Sequence, residues 1–271
     1  MNITFIGGGN MAAALIGGIM AKGHAAAGIR VVELQREARE RLAAQYGVMC
    51  MDAADAAVPL GEVVVLAVKP QQMRTAAEAL KPRLAHELVI TIAAGIRLVD
   101  LSRWLGGYTA LVRCMPNTPA LVGSGISGLY AAAAVAPEQR VQAETILGAV
   151  GATLWVSEEK LLDPVTAISG SGPAYVFYFI EALQQAAQEM GFSEGDARTL
   201  AVETFVGAAK LAAQSQEQLA LLRARVTSRG GTTESALASM EADAVKSLIV
   251  RALHAANQRA QELGEQLGAD E

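Results

Sequence analysis

The sequence predicts an α/β chain in which a doubly wound parallel sheet is followed by an all-helical domain. Three observations carry this. Strand-length apolar runs alternate with helical stretches through residues 1–160. The first run ends in a glycine turn that opens a helix. After about residue 161 the strand-like runs stop and long alanine-rich helical stretches take over.

A chain of 271 residues can bury a large core and is long enough for two domains. They are read as a dinucleotide-binding Rossmann domain at 1–160 and a helical domain at 161–271. Hydrophobic residues make up 52% but aromatics only 4%, so alanine and glycine supply the excess and favour closely packed helices. A net charge of −5, with no basic stripe interleaved with aromatics, argues against a nucleic-acid partner. No segment reaches the length of a membrane span, so no membrane partner is expected. Residues 11–21 are apolar, but a glycine turn precedes them and no basic segment does, so they read as a first helix rather than an export signal. Two isolated cysteines, Cys50 and Cys114, fit a cytoplasmic location; both flank apolar strands and read as core residues. No metal-ligand spacing is present, and no metal is expected.

Taken in order, Ile3-Thr4-Phe5-Ile6 reads as a short buried strand, Gly7-Gly8-Gly9 as a tight turn, and Asn10 as the cap of a helix starting at Met11. Gly7, Gly9 and Ala12 form a G-x-G-x-x-A fingerprint. Gly7 permits the turn, Gly9 lets a pyrophosphate approach the backbone, and Ala12 lets the helix pack on the strand. Gly8, Asn10 and Met11 complete the expected coenzyme contacts; a ligand-free turn is the plainer alternative. A second strand at 29–33 ends at Glu33, about where a ribose-reading acid belongs. Its carboxylate would favour NAD. Gln35 and Arg36 point to NADP, because an arginine there can pair with a 2′-phosphate. Alternatively Arg36, Arg39 and Arg41 form a solvated helix face, and coenzyme choice stays open.

Further strands are read at 63–68, 88–92, 111–115 and 152–156, with helices at 36–46, 72–80, 99–105 and 137–149. The continuous apolar run at 63–68 suits a strand covered on both faces. Its tip, Ala67-Val68-Lys69-Pro70, turns over the carboxyl edge of the sheet, where ligands of such folds bind. Ala93-Ala94-Gly95 ends the next strand with small residues that leave room for the nicotinamide-side ribose. Met115-Pro116-Asn117-Thr118-Pro119 is held extended by its prolines. The Asn117 amide suits either the nicotinamide end of a coenzyme or a local cap.

In the helical half, Ser169-Gly170-Ser171-Gly172-Pro173 reads as a flexible lead-in to a helix at 174–190. Ser193 with Asp196 resembles a capping box for the next helix. Further helices are read at 216–225 and 244–267. Helices apolar over most of their faces must be covered, most simply in a symmetric dimer, so a homo-oligomer is expected. Between them, Ser228-Arg229-Gly230-Gly231-Thr232-Thr233-Glu234 opens a helix whose first N–H groups suit an anion such as a substrate carboxylate; a plain capped helix start is the alternative.

These pieces together resemble pyrroline-5-carboxylate reductases. Phe5 to Met11, Ala67 to Pro70, Ala93 to Gly95, Val112 to Val122, Ile168 to Tyr175 and Ser228 to Glu234 occur in that family's order and cover nearly the whole chain. The resemblance implies a Rossmann domain with a dimer-forming helical domain, and hydride transfer from NADPH or NADH to C5 of 1-pyrroline-5-carboxylate, giving L-proline. By the same resemblance Ser228, Gly230, Gly231, Thr232 and Thr233 grip the substrate carboxylate, with Ser228 and Thr233 as the catalytic pair and Thr233 bonding the imine nitrogen. Glu159 and Thr166 match positions near that pocket, and the partner subunit is expected to complete it. Arg229 replaces the family's usual proline. A hydroxyacid or other imine reductase, or a non-catalytic coenzyme sensor, are the competing readings. The first would want a histidine or lysine donor near the site, and none of His24, His86 and His254 lies in a motif. The second has no need of a substrate turn.

Overall fold

The computed structural model describes residues 1–53 and 60–269. Among these, a single sheet contains β1 (Ile3–Ile6), β2 (Ile29–Val32), β3 (Met49–Met51), β4 (Val63–Leu66), β5 (Leu88–Thr91), β6 (Leu111–Met115), β7 (Gly125–Ala131) and β8 (Gly151–Trp155). Their order is β3-β2-β1-β4-β5-β6-β7-β8. The strands from β1 to β6 are mutually parallel; β7 runs antiparallel to β6, and β8 parallel to β7. The chain reverses its direction of travel across the sheet between β1 and β4. That is the switch point at which open α/β sheets hold ligands.

The strand residues explain why the sheet is covered on both faces. In β4, Val63 and Val65 join one buried cluster with Ile3, Phe5, Leu15 and Ile16. Val64 and Leu66, pointing the other way, join a second with Ile6, Met73 and Leu80. The first face is covered by α1 (Asn10–Ala21) and α5 (Pro137–Leu147), with α2 (Arg36–Tyr46) contributing Leu42. The second is covered by α3 (Met73–Leu80) and α4 (Leu98–Trp104).

Several expectations need correction. Helix α1 begins at Asn10 and its N-cap is Gly9, so Asn10 is helical and caps nothing. The sheet is not parallel throughout: β7, whose glycines read as loop, runs antiparallel to β6. Gly128 is needed there: a Cβ on it would lie 2.7 Å from Val165 Cγ1. β3 was also unread, being only 3 residues long. The supposedly flexible lead-in at 169–173 is helical. After the short α6 (Leu162–Val165), Thr166–Gly170 forms a π-helical turn closed by Ser171 N–H donating to the Thr166 carbonyl at 2.8 Å. Thr166 Oγ1 and Ser169 Oγ donate back to the Leu162 and Val165 carbonyls.

The chain forms two compact units. The first is Met1–Ser171 together with the C-terminal stretch from Ala256. That stretch returns because α4 holds it: Arg97 Nη2 donates to the Gln261 carbonyl at 3.3 Å and Arg103 Nη2 to that of Gly268 at 2.7 Å. The second unit, Gly172–Ala255, carries α7 (Gly172–Glu189), α8 (Glu194–Gln214), α9 (Leu219–Arg225), α10 (Thr232–Ala242) and the start of α11 (Val245–Gly268). Ser193 caps α8, its hydroxyl accepting the Asp196 N–H at 3.2 Å. Within this unit only Ala197 and Ala201 are buried among the described residues, while Phe177, Tyr178, Met190, Leu211 and Leu219 are exposed. No helix of the described residues is long and apolar enough to cross a membrane.

Cys114 lies in β6 and is fully buried; burial pushes its thiol up to about 12, against a smaller opposite pull from the Ser127 hydroxyl. A thiol reacts as thiolate, so at neutral pH it is protonated and inert. A thiol-titrating reagent applied to the native protein should leave Cys114 unmodified, and denaturant should expose it; mass spectrometry of the labelled peptide reads the difference.

Candidate active site

The carboxyl ends of β1, β4, β5 and β6 lie along one edge, and the predicted loops sit on them. Gly7 has φ +103°, and a Cβ there would stand 2.7 Å from the Ala67 carbonyl oxygen. Only glycine tolerates both conditions. The β1 turn therefore presses against the β4 tip at Ala67 and Val68. Gly8 is enclosed by Leu42 and Glu33. Gly9 differs: its φ of −70° suits any residue, and nothing lies within 4 Å of where its Cβ would point. The space that glycine leaves at Gly9 is open. As N-cap, Gly9 also supplies no side-chain acceptor to the first N–H groups of α1, those of Asn10 and Met11 included. An open backbone with uncapped helix donors fits the pyrophosphate of a dinucleotide.

Glu33, just past β2, accepts the Gly8 N–H at 2.7 Å with Oε2 and the Gln35 N–H at 2.8 Å with Oε1. Arg36 is exposed and pairs with Glu40 one turn on, Nε to Oε1 at 2.7 Å. Arg39 instead folds back, its Nη1 donating to the carbonyls of Glu33 and Leu34. Lys69 is exposed and Pro70 opens a short 3-10 turn. Ala94 and Gly95 form the turn after β5, with Gly95 at φ +76° and a virtual Cβ 2.7 Å from Leu267 Cδ1 of α11. Asn117 is buried and serves two internal bonds: Oδ1 accepts the Ile126 N–H at 2.9 Å and Nδ2 donates to the Ser169 carbonyl at 3.2 Å. Its amide ties the β6 loop to β7 and the π-helical turn, leaving one N–H for any other partner.

Glu159 is drawn into a network that sequence reasoning missed. Its Oε1 accepts the Leu98 N–H at 2.8 Å, at the start of α4, and Arg113 Nη1 at 3.1 Å. Arg113 is only 4% exposed and also meets Asp163 Oδ1 at 3.4 Å. The signal was an arginine inside the otherwise apolar run Leu111–Met115. A cleft of about 350 Å³ opens beside it, lined by Arg97, Arg113, Glu159, Lys160, Asp163, Gln261 and Glu265. Lys160 is turned to Glu158 at 2.7 Å. Thr166 spends its hydroxyl proton on the preceding turn of its own helix.

The turn before α10 belongs to the second unit. Gly230 has φ +72°, and its N–H donates to Glu234 Oε2 at 2.6 Å. Gly231 is the N-cap, and its N–H donates to the Ser228 carbonyl at 3.0 Å. Thr232 and Thr233 form the first helical positions. Ser228 and Arg229 are exposed and Thr233 is half-buried.

Two substitutions test this geometry. Gly9→Ala should leave the thermal unfolding temperature within a degree or two of wild type, about the scale of a surface change, yet weaken coenzyme binding at least tenfold by calorimetric titration. Unchanged binding would show that the space beside Gly9 is not used. Arg113→Met strands the buried Asp163 carboxylate and the half-buried one of Glu159 and should cost about 3 kcal/mol in urea unfolding at fixed protein concentration.

Residues 2–95 match a family model described as NADP oxidoreductase, coenzyme F420-dependent, and residues 159–263 one described as pyrroline-5-carboxylate reductase dimerisation. A pyrroline-5-carboxylate reductase of Pseudomonas aeruginosa is 48% identical over 267 residues, covering 98% of each chain. The solved structure of a Coxiella burnetii pyrroline-5-carboxylate reductase superposes with a TM-score of 0.92 at 40% identity, over 97% of this chain and 98% of that one. That of Plasmodium falciparum pyrroline carboxylate reductase, with NADP bound, gives 0.86 at 28% identity over the same shares. With kinship running from the glycine turn through the helical unit, the chain belongs to the pyrroline-5-carboxylate reductase family.

Proposed function

We propose that this protein reduces 1-pyrroline-5-carboxylate to L-proline, with NADPH or NADH as hydride donor, as a cytoplasmic homo-oligomer. The observation that carries the reading is the span of the kinship. At 48% identity it covers 98% of both chains, so it includes the Gly7–Gly9 cradle and the turn at 228–233 alike. The exposed apolar faces of Gly172–Ala255 and the match of 159–263 to a dimerisation family support the oligomer.

The bound coenzyme supplies a hydride equivalent to the imine carbon. The chain's own residues do the placing. Gly9 and the uncapped start of α1 receive the pyrophosphate. The first N–H groups of α10 and the hydroxyls of Ser228 and Thr232 receive the substrate carboxylate. Thr233 bonds the ring nitrogen. A cyclic imine accepts hydride readily once its nitrogen is protonated, and solvent can supply that proton, so no strong general acid is required. Rate enhancement then comes from orientation and from hydrogen bonds at the nitrogen. Glu159 and Thr166 act one step back, the first by holding the start of α4 and the second by closing the π-helical turn.

The test is oxidation of the reduced coenzyme on adding pyrroline-5-carboxylate, followed optically and run with NADH and NADPH in parallel. Turnover with neither, using folded protein, would sink the proposal. Thr233→Ala should lower kcat by about 10- to 100-fold while coenzyme affinity stays within twofold. An unchanged rate would remove Thr233 from the mechanism.

A further inference from the structure

We infer that Glu33 makes this chain an NADH-preferring member of its family. The inference rests on the dinucleotide reading of the Gly7–Gly9 turn. The coenzyme's adenine-side ribose is expected at the tip of β2, where a carboxylate accepts from the 2′-hydroxyl of NAD and repels the 2′-phosphate of NADP. A glutamate on a free side chain could swing away and admit the phosphate. This one is held. Both of its oxygens accept backbone N–H groups, Gly8 at 2.7 Å and Gln35 at 2.8 Å. Each oxygen keeps a lone pair for a ribose hydroxyl. The negative charge is therefore fixed on the turn that receives the pyrophosphate.

The cations nearby do not offset it. Arg39 uses Nη1 to bond the Glu33 and Leu34 carbonyls, drawing its charge back onto the chain at the base of α2. Arg36 is paired with Glu40, and the two side chains are 79% and 62% exposed. Leu34, beside Glu33, is 76% exposed and offers a phosphate no donor from its side chain. A 2′-phosphate at the tip of β2 would face the clamped Glu33 carboxylate, while Arg36 is paired with Glu40 and Arg39 with backbone carbonyls. The N-terminal family model is named for NADP, and the Plasmodium falciparum relative holds it; the inference for this chain rests on its own clamped Glu33.

The test is calorimetric titration of the intact protein with NADH and with NADPH, at one ionic strength and without substrate. NADH should bind at least tenfold more tightly. Glu33→Gln and Glu33→Ser should each move the affinity ratio at least tenfold toward NADPH, while Arg36→Ala should leave it within twofold. Equal or tighter NADPH binding by the wild type would overturn the inference. So would a selective tenfold loss of NADPH affinity in Arg36→Ala, since that would seat the phosphate on α2. Binding of neither coenzyme would overturn it together with the dinucleotide reading. Because no substrate is present, selective NADH binding without turnover of the imine would count against the reductase proposal and leave this one standing.

Discussion

The close approach of Gly7 to the Ala67 carbonyl is the constraint on which the rest depends. Two parallel strands, β1 and β4, leave the sheet side by side, and their tips can touch only because Gly7 has no side chain and adopts a left-handed φ. The touch aims the chain directly into α1. Gly9 then arrives at the cap with open space beside it, and the helix donors are left facing the crevice. Glu33 joins the same knot through Gly8, so the second strand is registered to the turn by a side chain as well as by the ladder.

A second, electrostatic constraint holds the far side. Burying Arg113 is tolerable because Glu159 and Asp163 flank it, and burying the Asp163 carboxylate is tolerable because of the arginine. Glu159 couples this pair to the first turn of α4 through the Leu98 N–H. An acid at a helix start is favourable in itself, since it answers both an orphan donor and the helix dipole. One carboxylate thus joins β6 to α4 across the loop that carries Ala94 and Gly95.

Much of this was legible in the residues. Buried strands announced themselves by continuous β-branched runs, and the fingerprint glycines by spacing. The start of α10 was readable because Gly-Gly-Thr-Thr supplies both the turn and the helix positions. What escaped has physical causes. β7 is rich in glycine because α6 packs against it at Gly128, and glycine reads as loop. The π-helical turn was hidden because Ser and Gly are poor helix formers; here their hydroxyls and small size are spent inside the turn. Asn117 reads toward either a coenzyme or a local cap; its bonds to backbone groups of β7 and the turn are a partnership only the tertiary fold creates. Arg113 could have been suspected, because a cation in a buried strand requires partners, but spacing could not name residues 46 and 50 positions away.

The return of α11 to the first unit bears on how the protein is made. A ribosome delivers the sheet strands before the helical unit, and the residues beyond Ala256 after it. Arg97 and Arg103 wait for the carbonyls of Gln261 and Gly268, and Gly95 waits for Leu267. The first unit therefore completes its packing only once those later residues are in place. Its final packing comes with the helical unit already synthesised, and a chain without the residues beyond Ala256 would carry the glycine turn but lack the brace beneath the β5 loop.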